Sequence, residues 1–457
     1  MYPSSRALSK RQLVYLYVAS TVPVIGAFIL YFFIAIAVLK FMLLGLGLAV
    51  LGSVFFAYPK FSFYTAVFYI YSGLSFYFPL LVPYPIVLIA FAAVLLRLFS
   101  GEEIELSDRT FIWSAAFFTL MALTSMLYAY SLSVSLIGLI KYVKVLILTF
   151  LALQLLKNPA DLHKYVVVVF MGGVAGVLLG FANMKLGLGE DISVIGFAQM
   201  ARFEGTQINP NILAMFLISA IPLGFYAVKR AYRIWHRVFF LVGILILVIA
   251  TFATFSRSAV FALAFALLAP LFRELKSKRF YVGIALVFAA SVFLTPKAYW
   301  IRLFSLGELA RSRPGDWSIL LRIRAAESAI HMFLQHPLTG VGLNNFIARS
   351  GTDLVVRIVA HNAYLEILSG VGLFGFLAYV GFCVSAVQNC LKGIRARWEA
   401  RTAWMGDLSF YILISFIASL ISCMFASTEF AYFVWFPLAG GLVAGNLVRR
   451  HVAQKES

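Results

Sequence analysis

Charge is what this sequence has least of. Only 12% of its 457 residues are Asp, Glu, Lys or Arg, against roughly a quarter in soluble domains. Acidic residues are the scarcer sign, 18 against 37 basic ones. Cysteine is confined to Cys383, Cys390 and Cys423, all inside apolar runs. An odd number at these spacings fits neither a disulfide framework nor a zinc site. No HExxH, CxxC, Walker or GxGxxG pattern stands in the context its chemistry needs, so metal, nucleotide and dinucleotide chemistry lack support and no cofactor or metal is expected. The basic residues are scattered over short connectors and form no soluble basic face, which argues against nucleic acid as a partner. Neither an internal repeat nor a low-complexity linker divides the chain.

What is there is apolar. A hydrophobic content of 63% and a mean hydropathy of +0.95 mark an all-α polytopic membrane protein with membrane lipids around it. The N-terminal Arg6, Lys10 and Arg11 precede an apolar run too long for a signal peptide and without a small-residue cleavage site, so it reads as a retained first span. Runs of about 20 apolar residues fall near 18–39, 41–57, 61–79, 83–99, 110–128, 134–156, 164–187, 209–228, 238–256, 258–272, 279–295, 363–391, 408–426 and 430–447. That gives an even number of spans, 14, or 12 if the N-terminal pair or the short pair around Arg257 is miscounted. The organisation is then 1–295, spans with a short outer loop at 188–208; 296–362, one long outer loop; and 363–457, three spans and a tail. The connectors 229–237, 273–279 and 392–401 and the tail at Arg449-Arg450 are strongly basic and fall on one side. The positive-inside bias makes that side, with both termini, cytoplasmic.

The long loop breaks the charge rule, with eight basic residues against four acidic ones. Long loops translocate regardless of charge, and seven of the eight are arginine, the side chain suited to bidentate phosphate contacts. Within the loop, Asp316 can cap an amphipathic helix whose apolar positions Ile319, Ile323, Ala326, Ile330 and Phe333/Leu334 recur at helical spacing. The helix would lie on the membrane or over the bundle, with Arg322, His331 and Gln335 the more solvated residues and Gln335-His336-Pro337 the stop.

Of the six histidines, only His361 stands where this polar loop re-enters an apolar segment. A histidine there can titrate and meet water; the bland alternative is an interfacial side chain bonding at a helix start. Arg257 interrupts some thirty apolar residues. A lone arginine among lipid-facing residues costs at least about 2.5 to 3.5 kcal/mol, so it faces a partner, a wet cavity or, by snorkelling, the headgroups. Arg202, a salt-bridge candidate for Glu204, precedes the helix-start signal Asn209-Pro210-Asn211. Lys141 and Lys144 share one helical face and either line an anion cavity or snorkel. Glu366, inside the span that follows His361, is expected to neutralise an arginine.

Three motifs then coincide: Phe255-Ser256-Arg257-Ser258-Ala259; Arg322 onward to His336-Pro337-Leu338-Thr339-Gly340-Val341-Gly342-Leu343-Asn344-Asn345-Phe346; and His361-Asn362-Ala363-Tyr364-Leu365-Glu366 with Gly370 and Gly372. From about Arg202 to the end, the chain resembles the bacterial O-antigen ligase family, whose superfamily includes polysaccharide polymerases. It departs from that pattern at Ala326, where members often carry tryptophan. The resemblance implies a metal-independent glycosyltransferase of the bacterial inner membrane. A glycan would pass from undecaprenyl diphosphate to a hydroxyl of lipid A-core or a similar glycolipid or glycan acceptor, on the periplasmic side. It further implies His361 as catalytic base and Arg202 and Arg257 on the donor diphosphate, with Arg322, Arg324, Lys141, Lys144 and Glu366 in support. A polymerase differs only in its acceptor. A transporter of lipid-linked glycan would instead show repeated halves with broken helices near the midplane, whereas here the distinctive residues cluster on one face.

Overall fold

The computed structural model describes residues 49–74, 83–186, 209–256, 258–273, 317–353, 359–396 and 403–456, with 47, 282, 285 and 289 as isolated positions. The chain divides into two compact units, Met1–Tyr58 and Pro59–Ser457. In the first, residues 49–57 are helical. The second contains α1 (Pro59–Ser72), α2 (Pro83–Phe99), α3 (Arg109–Leu127), α4 (Leu132–Leu155), α5 (Pro159–Leu186), α6 (Pro210–Arg230), α7 (Ile234–Ala253), α8 (Ala259–Leu268), α9 (Trp317–Gln335), α10 (Phe346–Asp353), α11 (Ala363–Arg395), α12 (Trp404–Cys423) and α13 (Tyr432–Glu456). No strand occurs among the described residues.

Among these, seven helices are long and apolar enough to cross a membrane: α3, α4, α5, α6, α7, α11 and α12. The chain is therefore a multi-pass membrane protein. The span expected near 18–39, nearly all of the one near 279–295 and the first part of the one near 41–57 lie outside the described residues. At α1 the expected span is shorter than proposed, ending at Ser72.

Helix ends follow local chemistry. The Asn209 side chain accepts the Asn211 N–H at 2.8 Å with Pro210 next in the chain, so α6 starts at its sequence signal. Pro437, inside α13, has no N–H for the Phe433 carbonyl; the Ser419 hydroxyl on α12 supplies that bond at 2.8 Å. Apolar burial does not drive helices together in lipid, so close approach and polar contacts must. The α11–α13 seam is built that way: a Cβ at Gly441 would lie 2.8 Å from the Cys390 sulfur, and one at Gly445, four residues on, would overlap Asn389. Beside that seam Phe118, Tyr142, Phe382, Phe430 and Trp435 interlock as one aromatic cluster.

The two ends of the bundle differ in kind. At one, ion pairs tie connectors together: Lys60–Asp161 at 2.6 Å, Lys229–Asp407 at 3.0 Å, Arg273–Asp407 at 2.7 Å, and Arg450–Glu105. At the other lie the turns 128–131, 254–256 and 424–431 and the segments 336–345 and 359–362, the last of which carries His361.

Candidate active site

The loop is fastened to the bundle by backbone rather than charge. After α9 ends at Gln335, Val341 and Gly342 donate to the carbonyls of Ser369 and Gly370 at 2.9 and 3.0 Å, and Leu373 N–H returns to the Pro337 carbonyl at 2.8 Å. Those carbonyls are free because α11 breaks at Gly372, with φ 71° and ψ −175°. Gly340, at φ 68°, lies so close that a Cβ there would overlap the Gly370 carbonyl, and one on Gly372 would meet the Leu338 oxygen at 2.5 Å. Both glycines are needed for a loop to dock on a broken helix.

Asparagines extend the fastening to α4. Asn345 is fully buried; its Oδ1 accepts from Ser131 N–H at 2.8 Å, and its Nδ2 donates to Ser135 Oγ at 2.6 Å and to the Leu343 carbonyl at 3.1 Å. Asn344 accepts from Lys141 Nζ at 3.2 Å. Beneath the loop, Ala325, Ala329, Met332, Val341, Phe346 and Ala360 form a small core separate from the main one.

His361 follows that core directly. It is half-buried, with φ 51° in the left-handed region, and precedes Asn362, whose Oδ1 accepts from Tyr364 and Leu365 N–H at 3.0 and 3.1 Å. The cap fixes the helix start and leaves the histidine outside it. A non-glycine residue in this conformation costs about 1–2 kcal/mol. The other two, Phe255 at 51° and Asn344 at 62°, also fall in the motif segments. Such strain persists where the surrounding structure over-determines it, commonly at functional sites. Burial, and then the Arg322 guanidinium, hold the His361 pKa below the ordinary histidine value. The ring is thereby kept neutral at pH 7 and able to accept a proton.

The structure brings together some of the expected residues and separates others. Arg322 lies within electrostatic reach of His361 and is half-buried, not solvated as its place on the helix suggested. Arg324 turns outward to Glu327 at 3.3 Å. Lys141 reaches the loop through Asn344, while Lys144 sits 4.0 Å from the centre of the Tyr84 ring, so the two lysines divide. Glu366 is buried, and the described charges that act on it are Glu429 and Lys141 rather than an arginine. Arg202 and Arg257 lie outside the described residues. The turn around Arg257 is described, with Ser256 and Ser258 buried and their hydroxyls 3.1 Å apart.

The face of α9 follows the expectation in part: His331 and Gln335 are exposed, but the residues it buries are mostly small ones rather than the large aliphatics. Ala325, Ser328, Ala329 and Met332 are buried, whereas Ile323, Ile330 and Leu334 are exposed. Small residues let α9 approach α11 closely, and the larger ones point outward, as suits a helix bordering lipid.

Sequence reasoning missed Glu429. It is 5% exposed between α12 and α13, and its main-chain carbonyl is held by Tyr379 Oη at 3.3 Å and Trp435 Nε1 at 2.9 Å. Glu366 and Glu429 each carry a buried carboxylate oxygen with no hydrogen-bond partner among the described residues. An acidic residue at the mouth of an apolar run was the available signal.

The fastening, the strained histidine and the turn at Ser256 lie in one stretch of chain, and that stretch has relatives. Residues 242–380 match the O-antigen ligase family model. Over that stretch the chain is similar to an O-antigen ligase domain. The stretch runs from α7 into α11 and so includes all three motifs and each residue in the left-handed region other than glycine. Lys141, Arg202 and Glu429 lie outside it. Members of this O-antigen ligase group are ligases or polymerases of the glycosyltransferase kind, which supports an enzymatic role. Among curated proteins no match was found.

Proposed function

We propose that this protein is a membrane glycosyltransferase of the O-antigen ligase type. It transfers a glycan from undecaprenyl diphosphate to a hydroxyl of lipid A-core or a similar acceptor, on the periplasmic face of the bacterial inner membrane. The observation that carries the reading is His361: strained, capped into place by Asn362, and kept a neutral base by burial and Arg322. His361 takes the proton of the acceptor hydroxyl while that oxygen attacks the anomeric carbon. The bond from that carbon to the diphosphate breaks, and the departing diphosphate keeps the electron pair. Arg202 and Arg257 meet its charge, an electrostatic contribution often worth several kcal/mol. The donor is already activated, so the step needs no nucleotide or metal. On this reading the chain crosses the membrane 12 to 14 times with both termini cytoplasmic, and 188–208 and 296–362 face the periplasm.

A polymerase would use the same base and the same cations with a growing chain as acceptor. The test is glycan transfer by purified protein given an undecaprenyl-diphosphate glycan and each acceptor, with donor binding measured alongside. General-base catalysis contributes about 10² to 10⁴ in rate, so His361→Ala should lose that much transfer and keep donor binding. Arg202→Ala and Arg257→Ala should weaken donor binding. His331→Ala and His336→Ala, on exposed side chains, should be mild. Near-parental transfer by His361→Ala would remove the base from the mechanism.

A further inference from the structure

At the end of the bundle away from His361, a cavity of about 230 Å³ lies between the start of α1, the end of α2 and the end of α4. Three cations converge on it, Lys60 of α1, Arg97 of α2 and Lys157 of the α4–α5 connector, with Glu102 the one acidic residue in its lining. Val94 and Leu155, both 3% exposed, give it an apolar wall. Asp161 and Glu102 offset only part of this charge. Lys60 is held by Asp161 at 2.6 Å, and Lys157 only loosely by the half-exposed Glu102 at 3.4 Å. Arg97 has no carboxylate partner among the described residues. Arg450 of α13 donates to the Lys157 carbonyl at 2.7 Å and pairs with Glu105, which pins the lysine's backbone without consuming its ammonium.

Gathering like charges around a concavity is unfavourable unless an anion enters, and an arginine flanked by lysines is a phosphate-binding set. The volume falls below the roughly 300 to 1,000 Å³ of sites for drug-sized ligands, which favours a small headgroup over a sugar nucleotide. Position adds to this: α2 and α4 are apolar helices ending here, so a ligand with a charged head and an apolar tail meets cations and the Val94–Leu155 wall together. We propose that this pocket binds a phosphate group at the membrane boundary, its two possible sources being the headgroup of an anionic phospholipid and free inorganic phosphate. The site is separate from the glycan site and does not rest on that assignment.

The experiment uses the purified full chain in lipid nanodiscs. One arm measures retention of phosphatidylglycerol against phosphatidylethanolamine by native mass spectrometry. A second adds inorganic phosphate as competitor. Arg97→Gln and Lys157→Gln should each weaken phosphatidylglycerol binding about tenfold, while Arg97→Lys retains most of it. Loss of binding in the variants without competition by millimolar phosphate assigns a lipid headgroup; competition assigns a soluble anion. Equal retention of the two lipids, or parental binding by both glutamine variants, would overturn the proposal. Lys60 is left intact because its pair with Asp161 supports the start of α5.

Discussion

Replacing Gly340 by alanine tests whether the loop is held on α11 by backbone contact. Two costs follow from the geometry. The residue sits at φ 68°, where an L side chain is disfavoured by about 1–2 kcal/mol. The new Cβ would also overlap the Gly370 carbonyl, so the two backbones must part. Parting them forfeits the bonds from Val341 to Ser369 and from Gly342 to Gly370, each worth about 0.5–1.5 kcal/mol net. Together these amount to about 2–5 kcal/mol of local stability, or more than an order of magnitude in the opening equilibrium. The assay is amide hydrogen exchange of residues 337–345 in the detergent-solubilised protein, read beside glycan transfer. Exchange in that segment should rise at least about tenfold and transfer should fall, with helices elsewhere unchanged. Gly101→Ala is the control: it shares a positive φ of 96° but has nothing within 4 Å of the added carbon, so it bears strain without loss of docking. Parental exchange at Val341 and Gly342 in Gly340→Ala would show that the loop is not fastened there.

Transfer by the parent should hold its plateau at neutral pH and fall on acidification through a value below the ordinary histidine pKa, as His361 gains its proton. Removing one of the two causes, in Arg322→Gln, should move that acid limb upward while burial keeps part of the depression; an unmoved limb would separate Arg322 from the base. Native stability shifts in the same sense. The unfolded chain binds the proton first as pH falls, so stability is lost on acidification from about pH 6.5 downward, and pH-dependent melting of the parent against His361→Ala reads that loss. Asn345→Ala deletes one acceptor and two donor contacts in a buried place. It should cost about 1–3 kcal/mol, measured by melting and by faster exchange at Ser131, with membrane insertion retained.

How much was legible in the sequence divides by the range of the interaction. Helix starts are local: Asn209-Pro210 and His361-Asn362 announced theirs, and the cap at Asn362 lies where the polar loop meets the apolar run. The glycines at 340, 342, 370 and 372 were visible as punctuation. That they dock one backbone onto another could not be read, because it depends on residues some thirty positions apart meeting in space. That the small residues of α9 make its packed face was not legible, for a physical reason. In water the large aliphatic residues Ile323, Ile330 and Leu334 would turn inward; at a lipid boundary they can turn outward, and alanines take the contact. Spacing put Lys141 and Lys144 on one face but could not show that their long stems reach different partners.

The site's charge therefore comes from several parts of the chain. The stretch similar to an O-antigen ligase domain supplies the strained histidine, Arg322 and the docked loop, whereas Lys141 enters from α4 and Glu429 from the turn after α12. Lys141 touches the loop at Asn344 and also acts electrostatically on Glu366 and Glu429. It thus connects the loop to the buried carboxylates of α11 and of the turn after α12. A change in the loop's position that drew Asn344 away would alter the cation that offsets those carboxylates. The docking at Gly340 and Gly372 consequently fixes two things together: the ledge from which His361 acts and the charge balance beneath it.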